Sequence, residues 1–544
     1  MAPTRRSLLT GSLGVAGIAL AGCSSSRESS APSSGASASA TKQAEVPFTF
    51  GNAAAAPTLD PSITSSLETS RISAQVLETL VAADPDTGKP TPGLATKWTS
   101  SKDGLTYTFT LRRNVTFHDG TKLTADVVRK NFDRWAKNTD TEQVNQTAYQ
   151  TIFRSTAADG KAQQTIYRSC TALDDHTVEL KISTPYPSIV KALTQPAFGI
   201  GSPQAFADHE KFGSHPVGTG PFRMESWDGH TAKLSRFPDY WGTSAHITQL
   251  TFLTVPSSQK RYYELLAQSV DAYDQVGIDD FVNLARRGYQ IQQRDPYSVA
   301  FVTMNQKAGP LADVNVRRAA AHALGRSQIA STQYPNGTNV ANDFVPELFK
   351  MGGEDTSSAY RQDQGLSKRL LAESGYKGEE LQFYYPTNVS LAYIQQPEAV
   401  FAKIAGDLTS VGFTIKPMPI RWDDDYLSKI NSANSDRAFA LTGYMGAYRD
   451  PDDFISPLFR QDNPQFGFTD QQLFDHVHRA AGLPDGDERS DLYKKVNEDI
   501  AEIMPAIPIA YPVSAVALSP KVISYPLAAT GVENLSLVEL RKDS

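Results

Sequence analysis

The sequence contains few cysteines and none of the common catalytic signatures. Two cysteines, Cys23 and Cys170, occur in 544 residues, too few for a disulfide scaffold or a cysteine-rich metal site. No Gly-x-Ser-x-Gly elbow, His-Glu-x-x-His motif or phosphate-binding loop is present. His476 and His478 are two residues apart, so on a helix they do not share a face and form no joint metal site. We therefore expect no enzyme activity, no metal and no cofactor, and we expect Cys170 to be a buried thiol.

An excess of basic residues is also absent. The chain has 52 lysines and arginines against 59 aspartates and glutamates, a formal net charge of -7. This balance does not provide the basic surface that nucleic-acid binding requires. The composition, 40% hydrophobic and 20% charged, is that of a globular protein long enough for two or three domains.

The N-terminal apolar run is too short to cross a membrane. Leu8–Leu20 is thirteen residues long, whereas a bilayer-spanning helix needs about 20. It follows Arg5-Arg6, so residues 1–22 are predicted to be an export signal peptide. The paired arginines also resemble a twin-arginine motif, which leaves the Sec and Tat export routes open.

A cysteine and a flexible tether follow this signal. Leu20-Ala-Gly-Cys23 resembles the bacterial lipobox, in which the cysteine is diacylated and becomes the mature N-terminus. Residues 23–45 are rich in serine, alanine and glycine, and such a segment cannot form a packed core. We therefore predict a lipid anchor at Cys23, a disordered tether over 23–45, and a location on the outer face of the cytoplasmic membrane.

The remaining residues alternate between strand and helix patterns. Leu105–Leu111 and Thr177–Ile182 alternate apolar and polar residues, as half-buried strands do. Helices are predicted near Ile72–Val81, over the amphipathic stretch Val316–Ile329 and over Pro397–Leu408. This mixture of elements indicates an α/β protein.

The stretch Leu441–Phe454 has the pattern of a ligand-facing edge. A strand ending in Phe439–Leu441 is predicted to give way to a loop of glycines and aromatics, Gly443-Tyr444-Met445-Gly446-Ala447-Tyr448. Asp450-Pro451 then starts a helix, because aspartate caps a helix N-terminus and proline is tolerated at the first helical position. A strand, an adaptable loop and a capped helix are typical of ligand sites in α/β domains.

Several motifs in a fixed order carry a resemblance to a known family. They are Leu94-Ala…Trp98, Asp103-Gly104…Leu111-Arg112, Phe117-His-Asp-Gly120, Leu123-Thr-Ala-Asp126, Pro216-Val-Gly-Thr-Gly-Pro-Phe222, Phe237-Pro-Asp-Tyr-Trp241, Met304-Asn305, Val316-Arg-Arg-Ala319, Leu370-Leu-Ala-Glu-Ser-Gly-Tyr376, Val411-Gly-Phe413 and Ile507-Pro508. Together they resemble solute-binding protein family 5, the dipeptide- and oligopeptide-binding proteins of bacterial ABC importers. The resemblance extends from about residue 46 to the C-terminus.

This resemblance implies a two-lobed periplasmic-binding-protein fold of the class II type with an extra subdomain. Lobe I is expected to comprise 46–80, 199–275 and 500–544, the subdomain 81–198, and lobe II 276–499. The lobes would close on a peptide or peptide-like solute, and the loaded protein, a monomer, would present it to an ABC permease.

The resemblance also implies the ligand contacts. In peptide-binding relatives the loop after the Gly-aromatic pair carries an aspartate that binds the peptide α-amino group, and Ala447 occupies that position here. A buried ammonium without a partner is costly, so we expect a ligand other than a simple dipeptide, or another acid in that role: Asp450, Glu68 or Asp423–Asp425. The expected ligand-binding residues are Ser65, Ser66, Glu68, Asn305 at the hinge crossing, Trp422, Tyr444, Met445, Gly446, Ala447, Tyr448 and Asp450.

Two other function classes stay open at this point. A secreted lipoprotein hydrolase would use carboxylates in the same cleft, although no paired-acid pattern supports it. A sensor that uses the fold without transport has the same sequence features as an importer component.

Overall fold

The computed structural model describes residues 45–137, 147–156, 163–349, 356–434 and 436–541. All of them belong to the unit Glu45–Ser544. The strands, in chain order, are β1 (Pro47–Asn52), β2 (Val81–Ala83), β3 (Pro90–Pro92), β4 (Ala95–Ser100), β5 (Thr106–Leu111), β6 (Arg154–Thr156), β7 (Gln163–Thr165), β8 (Tyr167–Asp174), β9 (Thr177–Ile182), β10 (Phe222–Trp227), β11 (Thr231–Arg236), β12 (Gln249–Thr254), β13 (Ala272–Asp274), β14 (Gln290–Gln293), β15 (Ser298–Met304), β16 (Asn339–Val340), β17 (Glu380–Thr387), β18 (Thr414–Arg421), β19 (Arg437–Met445), β20 (Ala506–Tyr511), β21 (Ala515–Leu518), β22 (Val522–Ser524) and β23 (Glu539–Leu540).

Helices separate and cover these strands. They are α1 (Leu67–Ser73), α2 (Ala125–Lys137), α3 (Ala148–Phe153), α4 (Ile189–Ala192), α5 (Pro203–Phe206), α6 (His209–Ser214), α7 (Ser258–Leu266), α8 (Asp280–Arg286), α9 (Val314–Ala323), α10 (Arg326–Gln333), α11 (Gln364–Glu373), α12 (Pro397–Val411), α13 (Tyr426–Asn431), α14 (Pro451–Phe459), α15 (Gln471–Gly482) and α16 (Asp487–Ile503). Short 3-10 turns occur at Pro61–Ile63, Pro196–Phe198, Gly309–Ala312, Glu347–Phe349, Thr356–Tyr360, Trp422–Asp424 and Leu535–Leu537.

Two large mixed sheets organise the molecule. The first has the order β10-β11-β12-β1-β13-β21-β14, and the second has the order β16-β20-β15-β19-β17-β18. In the second sheet every residue of β15 is buried, as expected for a central strand covered on both faces. The predicted α/β class is confirmed.

The chain passes between these sheets twice. Residues 294–297 join β14 of the first sheet to β15 of the second, and residues 512–514 return from β20 to β21. A division by sheet membership therefore falls at these two crossings, whereas the lobe boundaries expected from the sequence are at 276 and 499. The division into lobe I, subdomain and lobe II remains a proposal.

A smaller sheet, β4-β5-β9-β8, lies within the proposed subdomain. The alternation predicted for its strands appears in their burial: Tyr107, Phe109 and Leu111 of β5 are buried and the threonines between them are partly exposed. The predicted strand Thr177–Ile182 matches β9 residue for residue. Helix α2 packs its apolar face on this sheet, with Phe132 and Trp135 fully or almost fully buried.

Three of the element predictions were wrong in extent. The helix predicted near Ile72–Val81 is instead α1, which begins at Leu67 and ends at Ser73. The stretch Val316–Ile329 is two helices, α9 and α10, because the backbone is extended at Leu324 and the Gly325 N–H donates to the Asp407 carboxylate rather than within a helix. Tyr444 and Met445, expected in a loop, are the last two residues of β19.

Candidate functional site

Helix α1 provides one wall of the candidate site. The Ser66 hydroxyl caps this helix by accepting the Thr69 N–H at 3.2 Å, which fixes where the helix begins. Ser65 is exposed, and Ser66 and Glu68 are partly buried. The Ser66 hydroxyl donates to Glu68 Oε2 at 3.2 Å. Burial of the Glu68 carboxyl raises its pKa, and the nearby Arg71 guanidinium offsets that rise only in part.

Arg71 of this helix belongs to a buried charge network. Arg71 donates to the Asp274 carboxylate, to the Gly531 carbonyl at 2.9 Å and to Asn52 Oδ1 at 3.0 Å. Arg294, which begins the first crossing, binds Asp274 Oδ1 at 2.7 Å and Glu533 at 2.5 Å. All four charged side chains are at most 1% exposed. Two arginines and two carboxylates pair here, and the buried Arg261, which donates to the Asp274 and Gln275 carbonyls, adds a third positive charge beside them.

The end of strand β19 provides the facing wall. A Cβ built on Gly531 would lie 3.4 Å from both Leu67 Cδ1 of α1 and Met445 Cε of β19, so the two elements meet at this glycine. A Cβ on Gly443 would lie 2.4 Å from Cδ2 of Tyr393, so the absence of a side chain at Gly443 makes room for the tyrosine ring. Glycine at this position therefore permits an aromatic ring to lie against the strand.

The segment after β19 is held by the carboxylate of Asp453. Its Oδ2 accepts the backbone N–H groups of Ala447 at 2.5 Å and Tyr448 at 3.0 Å, and Oδ1 accepts the Tyr444 hydroxyl at 3.2 Å. Gly446 donates its N–H to the Tyr297 carbonyl at 3.1 Å. Burial raises the pKa of Asp453 to about 8. Tyr444, Met445 and Ala447 are partly exposed, whereas Gly446 and Tyr448 are buried.

Asp450 is the N-cap of α14, as predicted, but its charge is already paired. Its Oδ1 accepts the Asp452 N–H at 3.0 Å. Arg489 binds both carboxylate oxygens, at 2.6 and 3.1 Å, and Lys191 and Ser188 bind Oδ2. The side chain is fully buried, and the Arg489 guanidinium holds the pKa of Asp450 low despite that burial. Asp450 is therefore not available to bind a solute cation.

Ser188 and Lys191, which bind Asp450, belong to the proposed subdomain, and Tyr186 of the same subdomain also contacts α14. The Tyr186 hydroxyl lies 2.7 Å from the Tyr448 hydroxyl and donates to Asp452 Oδ2 at 2.6 Å. Tyr493 donates to the other oxygen of Asp452 at 3.0 Å. Tyr448 therefore belongs to a buried polar cluster.

Other predicted residues lie away from these two walls. Asn305 follows the end of β15 opposite to the crossing at 294–297, so its predicted place at the hinge was wrong. It is 2% exposed and donates to the carbonyls of Asn434 and Arg437. Trp422 is partly exposed and stacks on Tyr426 at 6.0 Å between ring centroids. Asp423–Asp425 are all exposed.

Sequence reasoning missed Tyr393, Arg71 and Asp453. Tyr393 lies between β17 and α12, and its packing against Gly443 in the structure is what associates it with the site. Asp453 suits the positive end of α14, but its acceptance of two N–H groups from the preceding loop is visible only in the structure. In the sequence, the acidic pair Asp452-Asp453 after Pro451 was the signal that could have identified Asp453.

The remaining sequence predictions concern cysteine, histidine and the N-terminus. Cys170 is a buried free thiol, and burial raises its pKa to about 12. His476 bonds to Asp499 at 2.6 Å, whereas His478 bonds to the Phe474 carbonyl at 2.7 Å. Residues 1–22, Cys23 and all of the tether except Glu45 lie outside the described residues.

The described ranges contain neither a cluster of metal ligands nor a membrane-spanning helix. Within them, no group of three or more histidine, cysteine or acidic side chains is placed to hold a metal ion. No helix in the same ranges combines the length and apolarity that a bilayer crossing requires.

Two sheets joined by two crossings give this chain the class II periplasmic-binding-protein fold, which it shares with solved dipeptide-binding proteins. Residues 89–466 match the model of bacterial extracellular solute-binding proteins, family 5 Middle. The chain belongs to this family, whose members are binding proteins and not enzymes.

Characterised relatives cover nearly all of the chain. Heme-binding protein A of Haemophilus influenzae is 27% identical over 539 residues, which is 94% of this chain and 95% of the relative. The dipeptide-binding protein of Escherichia coli is 26% identical over 82% of this chain and 86% of its own length. The dipeptide-binding protein of Pseudoalteromonas sp. SM9913, solved with Met-Leu, superposes with a TM-score of 0.82 at 22% identity, covering 91% of this chain and 100% of that one.

Proposed function

We propose that this protein captures a peptide or peptide-like solute between α1 and the end of β19 and delivers it to the permease of an ABC importer. The observation that carries the proposal is the meeting of Leu67 and Met445 at Gly531, because it brings the two sheets together around the predicted ligand residues. A solute that contacts both walls stabilises the closed arrangement by its differential affinity for that state.

The solute is not a simple dipeptide with a free N-terminus held at position 447. Ala447 has no carboxylate, and the nearest acid, Asp453, is 2% exposed and bound to the loop backbone. Relatives named for binding heme, dipeptides and glutathione differ widely in ligand, so membership of the family leaves the ligand class wide. We favour a modified or longer peptide, a siderophore-like compound or another small solute.

Two measurements test this function. The first is mass spectrometry of molecules released by denaturing the purified protein, and we expect a small solute in near-stoichiometric amount. The second is calorimetric titration with unmodified dipeptides, and we expect no micromolar binding. Micromolar dipeptide binding that is abolished by N-acetylation would contradict our interpretation of Ala447.

We further propose that the protein is anchored by lipid on Cys23 to the outer face of the cytoplasmic membrane and acts as a monomer. The lipobox resemblance and the apolar run before it support the anchor. Globomycin treatment of cells that express the protein should cause the unprocessed precursor to accumulate. The variant Cys23→Ala should appear in the soluble extracytoplasmic fraction. Unchanged membrane association of that variant would refute the anchor.

A further inference from the structure

The proposed subdomain and the helices α14–α16 are attached to different sheets. The chain leaves the first sheet after β1 and returns to it at β10, so both ends of the subdomain, residues 81–198, connect to that sheet. The three helices lie between β19 and β20, so both of their ends connect to the second sheet. A contact between the subdomain and these helices therefore joins the two halves of the molecule outside the crossings at 294–297 and 512–514.

Ser188 and Lys191 of the subdomain bind charged residues of the second half. The Ser188 hydroxyl donates to Asp450 Oδ2 at 2.7 Å and accepts a hydrogen bond from the Arg489 guanidinium at 3.0 Å. The Lys191 ammonium lies 3.0 Å from Asp450 Oδ2 and 2.8 Å from Asp485 Oδ2. Both acids also bind Arg489. The subdomain thus places a positive charge against two acids of the other half, and such complementary charges orient two surfaces on each other.

Aromatic and apolar side chains form the next part of this contact. The Tyr186 hydroxyl lies 2.7 Å from the Tyr448 hydroxyl and donates to Asp452 Oδ2 at 2.6 Å. Tyr448 and Ala481 of the second half are members of the hydrophobic cluster of the subdomain, and Ala447 packs against the same cluster. The loop that follows strand β19 at the candidate site is therefore packed against the subdomain.

The turn between β2 and β3 adds a contact with the same loop. Arg449 donates to the Asp86 carbonyl at 2.9 Å. A Cβ built on Gly88 would lie 2.5 Å from Cβ of Arg449, so the absence of a side chain at Gly88 makes room for the arginine. Arg460, at the end of α14, donates to the Thr151 carbonyl of α3 at 2.7 Å. The contact is therefore a surface built from several segments and not a single ion pair.

The buried acids of this contact have partners within their own half. Asp450 retains Arg489 and the Asp452 N–H if the subdomain moves away. Asp452 retains the hydroxyl groups of Tyr493 and Ser456. A buried charge left without a partner would oppose separation of the two surfaces, and neither acid is left in that state. The contact can therefore break and form again.

We propose that residues 186–191 of the subdomain form a latch, which binds the second half when the cleft closes on a solute and separates from it when the cleft opens. This inference rests on the proposed solute capture. Tyr186 and Lys191 are positioning residues in it, because they act on the candidate site through Tyr448 and Asp450. The latch adds to the free-energy difference between closed and open forms, so it slows release of the solute.

Distances between spin labels test whether the latch opens. Labels are attached to introduced cysteines in a Cys23→Ala background, in which the remaining Cys170 is buried. The first pair, Leu173→Cys with Asp491→Cys, spans the latch from the subdomain to α16. The second pair, Leu173→Cys with Leu537→Cys, lies within the half that contains the first sheet. All three labelled positions are exposed.

Each pair is measured by pulsed electron paramagnetic resonance after solute is removed by unfolding and refolding. Lys191→Met removes the charge of the latch, and Lys181→Met is the matched control, because Lys181 pairs with Glu179 inside the subdomain and is 50% exposed. We expect the first pair to show a short and a long distance. The ratio of long to short should rise at least threefold in Lys191→Met and stay unchanged in Lys181→Met. The second pair should keep one distance throughout.

Three results of the label measurements would overturn the latch. A single short distance for the first pair, in both the wild type and Lys191→Met, would show that the contact is permanent. A change in the second pair would show that the subdomain moves with the second half. A ratio in Lys191→Met no higher than in Lys181→Met would show that the ion pair does not hold the contact.

Release of a bound peptide separates this inference from solute capture. The probe is the peptide that the wild type retains best from a tryptic digest of casein, identified by mass spectrometry. It should dissociate at least threefold faster from Lys191→Met than from the wild type or Lys181→Met. Equal dissociation rates would contradict the latch and leave solute capture standing. A wild type that neither retains peptides nor carries a co-purified solute would overturn solute capture, whereas the label distances test the latch without any solute.

Discussion

At the scale of single residues, His118 joins two segments that the sequence separates by a hundred positions. Its Nε2 lies 2.9 Å from the Gly220 carbonyl, and its Nδ1 accepts the Gly218 N–H at 3.4 Å. This pattern requires a neutral imidazole with the proton on Nε2. Burial lowers the pKa of His118 to about 4.

His118 should therefore make stability depend on pH. Because the folded pKa is below the unfolded value of 6.5, the unfolded chain binds more protons between these values. The contribution of His118 is complete above pH 6.5 and falls as pH drops towards 4, by about 1.4 kcal/mol per pH unit at most. Melting curves of His118→Gln should lose this slope, and the exposed His209→Gln control should keep it. An identical slope in both variants would rule out His118 as the source of this pH dependence.

Asp453 should produce the opposite dependence. Its folded pKa of about 8 is above the ordinary value of 3.8, so the folded state holds the proton more tightly, and stability falls as pH rises from 3.8 to 8. Asparagine resembles the protonated acid: its carbonyl can accept the Ala447 and Tyr448 N–H groups, and its amide can donate to the Tyr444 hydroxyl. Asp453→Asn should melt several degrees above the wild type at pH 9 and near it at pH 5. A lower melting temperature at pH 9 would contradict this prediction.

At the scale of elements, local patterns predicted strands more accurately than helix ends. Both ends of strand β9 were predicted correctly because its alternation is a local property. The start of α1 has a local signal as well, the Ser66 cap. The segment after α1 is set by distant partners: Gln75 donates to the Glu533 carbonyl and accepts the Leu535 N–H. A local sequence window cannot show contacts between residues more than 450 positions apart.

The same limit applies to the candidate site. The cap at Asp450 was predicted because the Asp-Pro pair is local. Its salt bridge to Arg489 was not, since that partner lies 39 residues away on α16. The residues of the two proposed walls were predicted from the family resemblance and, for 441–454, also from the local pattern. Helix α1 itself was not predicted, because the helix was expected near Ile72–Val81. That Asp450 is already paired is visible only in the coordinates, because a sequence does not distinguish a paired carboxylate from an unpaired one.

The contact of α14 with the proposed subdomain gives a stability prediction. Asp450→Asn keeps a good helix cap but leaves the buried Arg489 without its bidentate partner, which should cost about 3–5 kcal/mol of unfolding free energy. Asp485 contacts the same Arg489 and Lys191 but is 67% exposed, so Asp485→Asn should cost less than about 1 kcal/mol. Urea denaturation of both variants measures the difference. Equal losses of unfolding free energy in the two variants would show that the buried ion pair stabilises the fold no more than the exposed one.

At the scale of the whole molecule, the two crossings are tied to each other beside the charge network. The Arg294 N–H donates to the Ser514 carbonyl at 2.9 Å, and its guanidinium reaches the Ser514 hydroxyl at 3.3 Å. Arg294 also binds Asp274, the residue that holds Arg71 of α1. The helix that carries Glu68 is thus joined by hydrogen bonds and ion pairs to both connections between the sheets.

Solute binding should therefore close the two sheets on each other and stabilise them together. At 100 times its dissociation constant, the solute recovered from the purified protein should raise the unfolding free energy by about 2.7 kcal/mol, as for any ligand specific to the folded state. Closure about the crossings adds a second signature, a smaller radius of gyration in X-ray scattering, because a ligand that touches both walls favours their approach. At the same solute concentration, Glu68→Gln should show a smaller gain in stability and less compaction. Stabilisation of the wild type with no change in its radius of gyration would mean that the solute binds one wall alone.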